Sequence, residues 1–217
     1  MAPPRIAFLH TGAVNIAPFG ELAAELLPGA TVINFLDDKI VGDLGDVQLA
    51  PSVPERIEGL VRAAAAAGAD VVMFTCSSIS EQAAPVAEAV GIDVLRVDEA
   101  MADAAVTAGR RIRVLATLPT TCRPTLALIA ERAALVGAEP VLTSEVIEGA
   151  FAAVAGGDRA THDRLVAAAI ERGASDADVV VLAQASMASA AEAVSVDVPV
   201  LTSPRLGVER LALRLAD

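Results

Sequence analysis

The chain has 217 residues and a formal net charge of −12, and its hydrophobic fraction of 54% includes only 2% aromatic residues. Because it has no basic run and neither Trp nor Tyr, nucleic acid and anionic membranes are not expected partners. No stretch approaches the roughly 18 uninterrupted apolar residues of a membrane span. The first residues lack a signal-peptide core, and Cys76 and Cys122 make no disulfide framework. We therefore expect a cytoplasmic location.

Short apolar runs alternate with helical patterns along the chain. This alternation predicts an α/β fold in which parallel, flavodoxin-like sheets are flanked by helices. The strands are predicted at residues 5–9, 31–36, the apolar run before Cys76, 92–97, 111–116, 139–144, 178–182 and 198–202.

Helix starts are indicated by capping residues and prolines. The capping-box spacing S-x-x-E occurs between Ser52 and Glu55 and again between Ser78 and Glu81. The segment at residues 37–51 is acidic and without period, and is predicted as a surface loop or lid. Three further helices are predicted to open at Pro18, Asp98 and Ser203.

The two halves of the sequence repeat each other. Ala-Asp-Val-Val occurs at residues 69–72 and again at residues 177–180, and this alignment places Cys76 on Gln184. Matching stretches elsewhere favour a true duplication over a chance likeness of valine-rich strands. We therefore predict an N-terminal lobe over residues 1–110 and a C-terminal lobe over residues 111–217, with the terminal helix able to pack back on the first lobe.

The duplication also predicts a site. A pseudo-twofold axis places the carboxyl ends of both sheets face to face, so that Cys76 and Gln184 approach one ligand across a cleft. The strand ends there supply hydroxyls, an amide and helix N-termini, which suit one or two carboxylates. The candidate substrate-binding residues are His10, Thr11, Asn15, Ser77, Ser78, Thr117, Thr120, Thr121, Ala185 and Ser186.

Several of these candidates also have a purely structural interpretation. A cysteine at a strand end is usually a small buried hydrophobe, and the serines can be helix caps. His10 can hydrogen bond to loop backbone rather than to substrate. His162 is expected to be exposed at the start of a helix. Cys122 either supplies a second thiol or packs beneath the helix that it precedes.

Other ligand classes lack support in the sequence. The two histidines are far apart and have no metal-ligand spacing. The single lysine, Lys39, lies in a polar loop beside carboxylates, as a solvated charge does, and is a poor candidate for a pyridoxal Schiff base. No glycine-rich nucleotide fingerprint follows the first strand. We expect neither a metal nor a cofactor.

At these residues the sequence resembles the Asp/Glu/hydantoin racemase superfamily over nearly its whole length. The resemblance is carried by Cys76 with the two serines after it, by residues 116–121, and by residues 182–187, which look like the family's second-thiol segment. Members include amino-acid and hydantoin racemases, maleate isomerases and arylmalonate decarboxylases. The resemblance implies a PLP-independent isomerase acting on a small carboxylate or amino-acid-like substrate.

The resemblance assigns Cys76 to the first catalytic thiol and places the second at position 184, where this chain has glutamine. Racemisation needs a base on each face of a planar carbanion, and an amide does not titrate near neutral pH. A strict two-base racemase is therefore not expected. The alternatives are a one-thiol decarboxylase, a cis–trans isomerase of a small diacid, or a non-catalytic carboxylate-binding protein. Alanine-rich helix faces would also allow a homo-oligomer.

Overall fold

A computed structural model describes residues 3–216 of the chain. The chain divides into two compact units: Met1–Val97 with Gly207–Asp217, and Asp98–Leu206. The sequence repeat predicts a lobe boundary at residue 110, whereas these units divide after Val97.

The first unit contains one parallel sheet with helices around it. Its strands are β1 (Arg5–His10), β2 (Thr31–Leu36), β3 (Val71–Phe74) and β4 (Asp93–Arg96), in the order β2-β1-β3-β4. Its helices are α1 (Ile16–Leu26), α2 (Ile40–Asp43), α3 (Val53–Ala66) and α4 (Ala83–Val90). Short 3-10 turns cover Ala13–Asn15, Ala50–Ser52 and Ser77–Gln82.

The second unit repeats this arrangement. Its strands are β5 (Arg111–Ala116), β6 (Val141–Val146), β7 (Val179–Leu182) and β8 (Val200–Thr202), in the order β6-β5-β7-β8. Its helices are α5 (Glu99–Ala108), α6 (Pro119–Leu135), α7 (Ala150–Ala155), α8 (Arg159–Ala174) and α9 (Ala188–Glu192). A 3-10 turn covers Ala185–Met187. The last helix, α10, spans Ser203–Ala216 and belongs to the first unit from Gly207 onward. The predicted α/β fold with parallel sheets is thereby confirmed.

The repeated aspartate of Ala-Asp-Val-Val has a structural role in both units. The Oδ2 atom of Asp70 accepts a hydrogen bond of 2.7 Å from the backbone N–H of Arg5. In the second unit Asp178 Oδ2 accepts from the backbone N–H of Arg111 at 2.8 Å. Each aspartate thus joins two neighbouring strands at their amino ends.

Apolar side chains cover both faces of the second sheet. Ile112 and Val114 pack in one buried cluster with residues of α5 and α6, while Leu115 and Val180 pack in another with residues of α8 and α9. Strands buried on both sides read as continuous apolar runs, which is why they were recognisable in the sequence. The helix α5, predicted as part of the first lobe, packs here because Met101 and its neighbours lie in this core.

The terminal helix passes close to Val97, the residue that follows β4. A Cβ atom added at Gly207 would lie 2.6 Å from the carbonyl oxygen of Val97 and 2.8 Å from its Cγ2 atom. Only glycine allows this close approach of α10 to the end of β4.

Three local predictions were wrong. A helix, α3, does begin directly after Ser52 as predicted, but the Ser52 hydroxyl does not cap it and donates instead to the carbonyl of Leu49 at 2.7 Å. Ser78 lies inside a 3-10 turn, and α4 begins only at Ala83. The strand predicted at 139–144 is displaced toward the carboxyl end because Pro140 cannot donate to the ladder, which begins at Val141.

The segment at residues 37–51, predicted as a surface loop or lid, contains α2 and a 3-10 turn. The guanidinium of Arg56 on α3 binds the carboxylates of Asp37 and Asp43. Burial raises the pKa of Asp37, but the hydrogen bonds and charge of Arg56 and the backbone N–H groups of Lys39 and Ile40 together outweigh this and hold the pKa below its ordinary value. The ion pairs of Arg56 therefore hold the first part of this segment against α3.

His162 is not exposed, contrary to prediction. Its ring is fully buried in the first turns of α8, where Nδ1 lies 2.7 Å from Oδ1 of Asp163. The helix begins three residues earlier than His162, at Arg159, with Asp158 accepting from the N–H of Thr161 at 2.9 Å. Across residues 3–216, no helix is both long and apolar enough to cross a bilayer.

Candidate functional site

Cys76 and Gln184 occupy equivalent positions in their units. Cys76 follows β3 and Gln184 follows β7, which hold the same place in the two sheets, and each immediately precedes a 3-10 turn. Their backbones are both extended, with φ −135° and ψ 123° at Cys76 and φ −131° and ψ 137° at Gln184. Their carbonyls accept equivalent hydrogen bonds, from the N–H of Ile79 at 3.3 Å and of Met187 at 3.0 Å.

The side chain of Gln184 is held by its oxygen. Oε1 accepts from the backbone N–H of Thr117 at 2.6 Å and from the hydroxyl of Thr117 at 2.8 Å. Because Thr117 follows β5, these bonds join the ends of two neighbouring strands. Among residues 3–216 the Nε2 group has no hydrogen-bond partner, so both of its N–H groups are available to a ligand. With its oxygen engaged, Gln184 offers a ligand only hydrogen-bond donors.

Cys76 is partly exposed at the end of β3, and part of it packs against the core of the first unit. The hydroxyl of Ser80 donates to its carbonyl at 3.4 Å. The hydroxyl of Ser78 is buried, and no partner for it lies within the described residues. A buried hydroxyl without a partner costs free energy unless a ligand or water satisfies it. Ser77, next to Cys76, is buried as well.

Thr75, directly before Cys76, is fixed from several sides. Its hydroxyl lies 3.1 Å from the carbonyl of Leu9 and 2.8 Å from Nδ1 of His10, and its carbonyl accepts from Nδ2 of Asn15 at 3.5 Å. His10 is fully buried, and its Nε2 lies 2.9 Å from Oδ1 of Asn34. Burial lowers the pKa of His10, although the hydrogen bond with Asn34 acts in the opposite direction. A neutral His10 therefore supports the strand end that carries the thiol.

Two predicted residues of the second unit lie at the start of α6. Thr120 is exposed, whereas Thr121 is buried and its hydroxyl donates to the carbonyl of Leu118 at 2.9 Å. Cys122 lies within the first turns of α6 and packs in the buried cluster between α6 and the sheet. Its surroundings match the packing interpretation.

The turn after Gln184 is partly exposed at Ala185 and Ser186. The carbonyl of Ser186 accepts a hydrogen bond of 2.6 Å from the guanidinium of Arg159 on α8. In the first unit, Thr11 is buried beside His10 at the end of β1.

Two residues near the site were missed by sequence reasoning. Nothing in the sequence pairs Thr75 with His10. Nothing in the sequence pairs Arg159 with Ser186 either, because residues so far apart along the chain carry no periodic signal. The aspartate before Arg159 is an ordinary N-cap and could have located the helix start.

A cavity is also present away from the candidate site. A cavity of about 490 Å³ lies at the opposite end of the second sheet, beside the residues that precede β5 and β6, and is lined by Arg110 and Glu139 among others. Within residues 3–216, no three His, Cys, Asp or Glu side chains are grouped as metal ligands.

A duplicated α/β fold with equivalent turns after β3 and β7, one carrying a thiol and the other an amide, defines the class of protein. The chain belongs to the Asp/Glu/hydantoin racemase family, whose model matches residues 42–211. The family resemblance seen in the sequence is thereby confirmed. A search of curated proteins gives no match.

Solved structures with this fold include racemases and a decarboxylase. An aspartate racemase homologue from Pyrococcus horikoshii OT3 superposes with a TM-score of 0.70 at 17% identity, over 100% of this chain and 99% of that one. A glutamate racemase from Francisella tularensis, solved with D-glutamate, has a TM-score of 0.76 at 13% identity, over 100% and 82%. Arylmalonate decarboxylase has a TM-score of 0.61 at 23% identity, over 98% and 92%.

Proposed function

We propose that this protein is a cofactor-independent enzyme of the racemase family that moves a proton at a carbon alpha to a carboxylate, with Cys76 as its one acid–base thiol. The observation that supports this proposal most strongly is the hydrogen bonding of the Gln184 side chain. Its oxygen is fixed by two hydrogen bonds with Thr117, and its nitrogen faces no partner within residues 3–216. The position where the resemblance implies a second thiol therefore holds a hydrogen-bond donor that cannot remove a proton.

Gln184 supplies the charge-stabilising part of the reaction. A carbanion beside a carboxylate or carbonyl places its negative charge on oxygen, as an enolate. The Nε2 group of Gln184 can donate to such an oxygen, and Thr117 holds it in place without rearrangement during the reaction. The buried hydroxyl of Ser78 is a second candidate donor, because it has no partner in the described structure.

Cys76 supplies the proton. In a decarboxylation, the bond from the α-carbon to one carboxyl group breaks, carbon dioxide leaves, and the electron pair remains as the enolate. The Cys76 thiol then protonates the α-carbon and is itself reprotonated by water. In an exchange reaction, the thiolate removes the α-proton and returns it to the same face. Both reactions need only one titrating group, which this arrangement provides.

The test is incubation in deuterated water with a panel of acids. The panel holds D-glutamate, which a structural relative binds, together with L-glutamate, L-aspartate, phenylmalonate and maleate. Mass spectrometry and NMR follow deuterium at the α-carbon, loss of carbon dioxide and alkene geometry. We expect exchange or decarboxylation of at least one acid, with a loss of at least about 10²-fold in Cys76→Ala.

Cys122→Ala is the matched control, because it removes the other thiol from a packed helix. We expect it to lose stability but to keep turnover per folded molecule. Full turnover in Cys76→Ala would refute the role of the thiol. Isomerisation of maleate without α-exchange would instead identify nucleophilic addition by Cys76. Binding without any reaction would identify a carboxylate-binding protein.

A further inference from the structure

Three exposed aliphatic side chains lie at the amino end of the second sheet. Leu135 and Val136 follow one another at the end of α6 and are 67% and 70% exposed. Val141, the first residue of β6, is 50% exposed. Since β6 is an edge strand that pairs with β5 alone in the described chain, no strand covers Val141 on its outer side. We call these three residues the aliphatic patch, and exposed apolar groups of this kind mark interaction surfaces.

The backbone that carries the aliphatic patch is well ordered by hydrogen bonds. Gly137 adopts the left-handed conformation, with φ +67°, and closes the end of α6. The N–H of Ala138 then donates back to the carbonyl of Ala133 at 2.9 Å. The N–H of Val141 donates to the carbonyl of Arg110 at 2.8 Å, which joins the connection to the residue before β5. A surface that is already ordered loses little conformational entropy when a partner binds.

Two unpaired charges of opposite sign lie beside the aliphatic patch. Arg110 and Glu139 both line the cavity at this end of the sheet. Both are exposed, and neither side chain has a hydrogen-bond or ion-pair partner within residues 3–216. The neighbouring Arg111, by contrast, binds Asp178. The surface therefore offers a partner one guanidinium and one carboxylate that the described chain does not pair.

A second copy of this chain complements such a surface. Around a twofold axis, a residue of one copy that faces a second residue of the other copy is matched by the same contact in reverse. Arg110 can therefore face Glu139 of the partner subunit on both sides of the axis. A small ligand in the cavity would leave Leu135 and Val136 uncovered, since neither residue lines it. The net charge of −12 disfavours nucleic acid as the partner.

We propose that two copies of this chain associate through the aliphatic patch as a twofold-symmetric dimer, in which Arg110 of each copy pairs with Glu139 of the partner subunit. The contact covers the three aliphatic side chains and pairs both free charges. It leaves the turn that begins after Gln184, at the opposite end of the second sheet, open to a ligand. The proposal does not depend on the proposed function, because a chain without activity would associate in the same way.

Analytical ultracentrifugation of the full chain tests the proposal. We expect the wild type to sediment at twice the chain mass of 22.0 kDa at micromolar concentrations. Val136→Asp should weaken the dimer at least about tenfold, because each copy then brings an unpaired carboxylate into an apolar contact. Leu213→Asp is the matched control, since Leu213 on α10 is also 70% exposed, and it should sediment as the wild type does. Thermal unfolding of each variant verifies that it is folded.

Charge reversal tests the twofold pairing. Arg110→Glu and Glu139→Arg should each weaken the dimer at least about tenfold, because both ion pairs become contacts between like charges. An equal mixture of the two variants should form a mixed dimer within about threefold of the wild-type affinity, since each reversed side chain then faces an opposite charge. Arg123→Glu, at the exposed start of α6, changes the net charge as Arg110→Glu does and should leave the dimer intact.

A wild type that stays monomeric overturns the proposal, and so does a dimer that Val136→Asp leaves intact. Equal weakening by Leu213→Asp and Val136→Asp also overturns it, because the contact would then not be specific to the aliphatic patch. If net charge alone governed association, Glu139→Arg would strengthen the dimer by bringing the chain closer to neutrality. That result, or a mixture of the two charge variants that stays monomeric, excludes the reciprocal ion pairs. None of these outcomes bears on proton exchange at the candidate site, which tests the proposed function separately.

Discussion

The hydroxyl of Thr117 provides the most direct structural test of how Gln184 is oriented. Thr117→Val keeps the shape of the side chain and the backbone hydrogen bond of 2.6 Å to Oε1, and removes only the hydroxyl bond of 2.8 Å. A neutral hydrogen bond contributes about 0.5–1.5 kcal/mol, so carboxylate binding that depends on the orientation of Gln184 should weaken about 2- to 12-fold. Titration with succinate measures this loss directly.

Thr125→Val is the matched control. Thr125 is fully buried in the same unit, and its hydroxyl donates to the carbonyl of Thr121 at 2.9 Å. Both variants should lose a similar free energy of unfolding, about 0.5–1.5 kcal/mol in urea titrations. Only Thr117→Val should also lose ligand affinity. Equal affinities of the two variants would refute the role of Thr117 as the residue that orients Gln184.

Three further predictions concern stability. Gly207→Ala should destabilise the protein by about 1–3 kcal/mol in urea unfolding, because the added methyl group overpacks the site. Gly59→Ala, with open space around its Cβ position, should instead stabilise the protein by about 0.5–1 kcal/mol. A Gly207→Ala variant more stable than Gly59→Ala would contradict the packing at Gly207. Burial lowers the pKa of His10 below 6.5, so the unfolded chain binds more protons than the folded one below that pH. Stability should therefore fall as the pH drops from 7 toward 5. Urea unfolding midpoints should fall less steeply over this range in His10→Gln than in the wild type. The hydrogen bonds from Arg111 lower the pKa of Asp178, so its stabilisation should be present above pH 4 and be lost on acidification; an acid titration of Asp178→Asn that matches the wild type would contradict this.

The sequence predicted the fold well because its strongest signals are local. The apolar runs before Cys76 and Gln184 are buried on both faces, and such strands read clearly without knowledge of their neighbours. The repeated sequence segments at residues 69–72 and 177–180 showed which positions of the two units are equivalent. The capping box at Ser78 failed because this serine lies in a tight turn whose apolar residue, Ile79, packs into the core.

The contacts around the candidate site depend on residues far apart in the chain. The sequence identified Gln184 and Thr117 as neighbours of one sheet edge, but it could not show that one side chain holds the other. The bond from Arg159 to Ser186 and the contact of His10 with Thr75 likewise arise only when separate strand ends and helices come together. Such pairs have no periodicity, so pattern reasoning does not detect them.

The stereochemical course of α-proton exchange in deuterated water tests the central claim most directly. A wild-type protein with one titrating group should exchange the α-proton of a reactive chiral acid with retention of configuration, and Gln184→Cys should gain racemisation. Wild-type racemisation at the rate of exchange would show that a second base acts on the opposite face, and would contradict the account of Gln184 as a donor only.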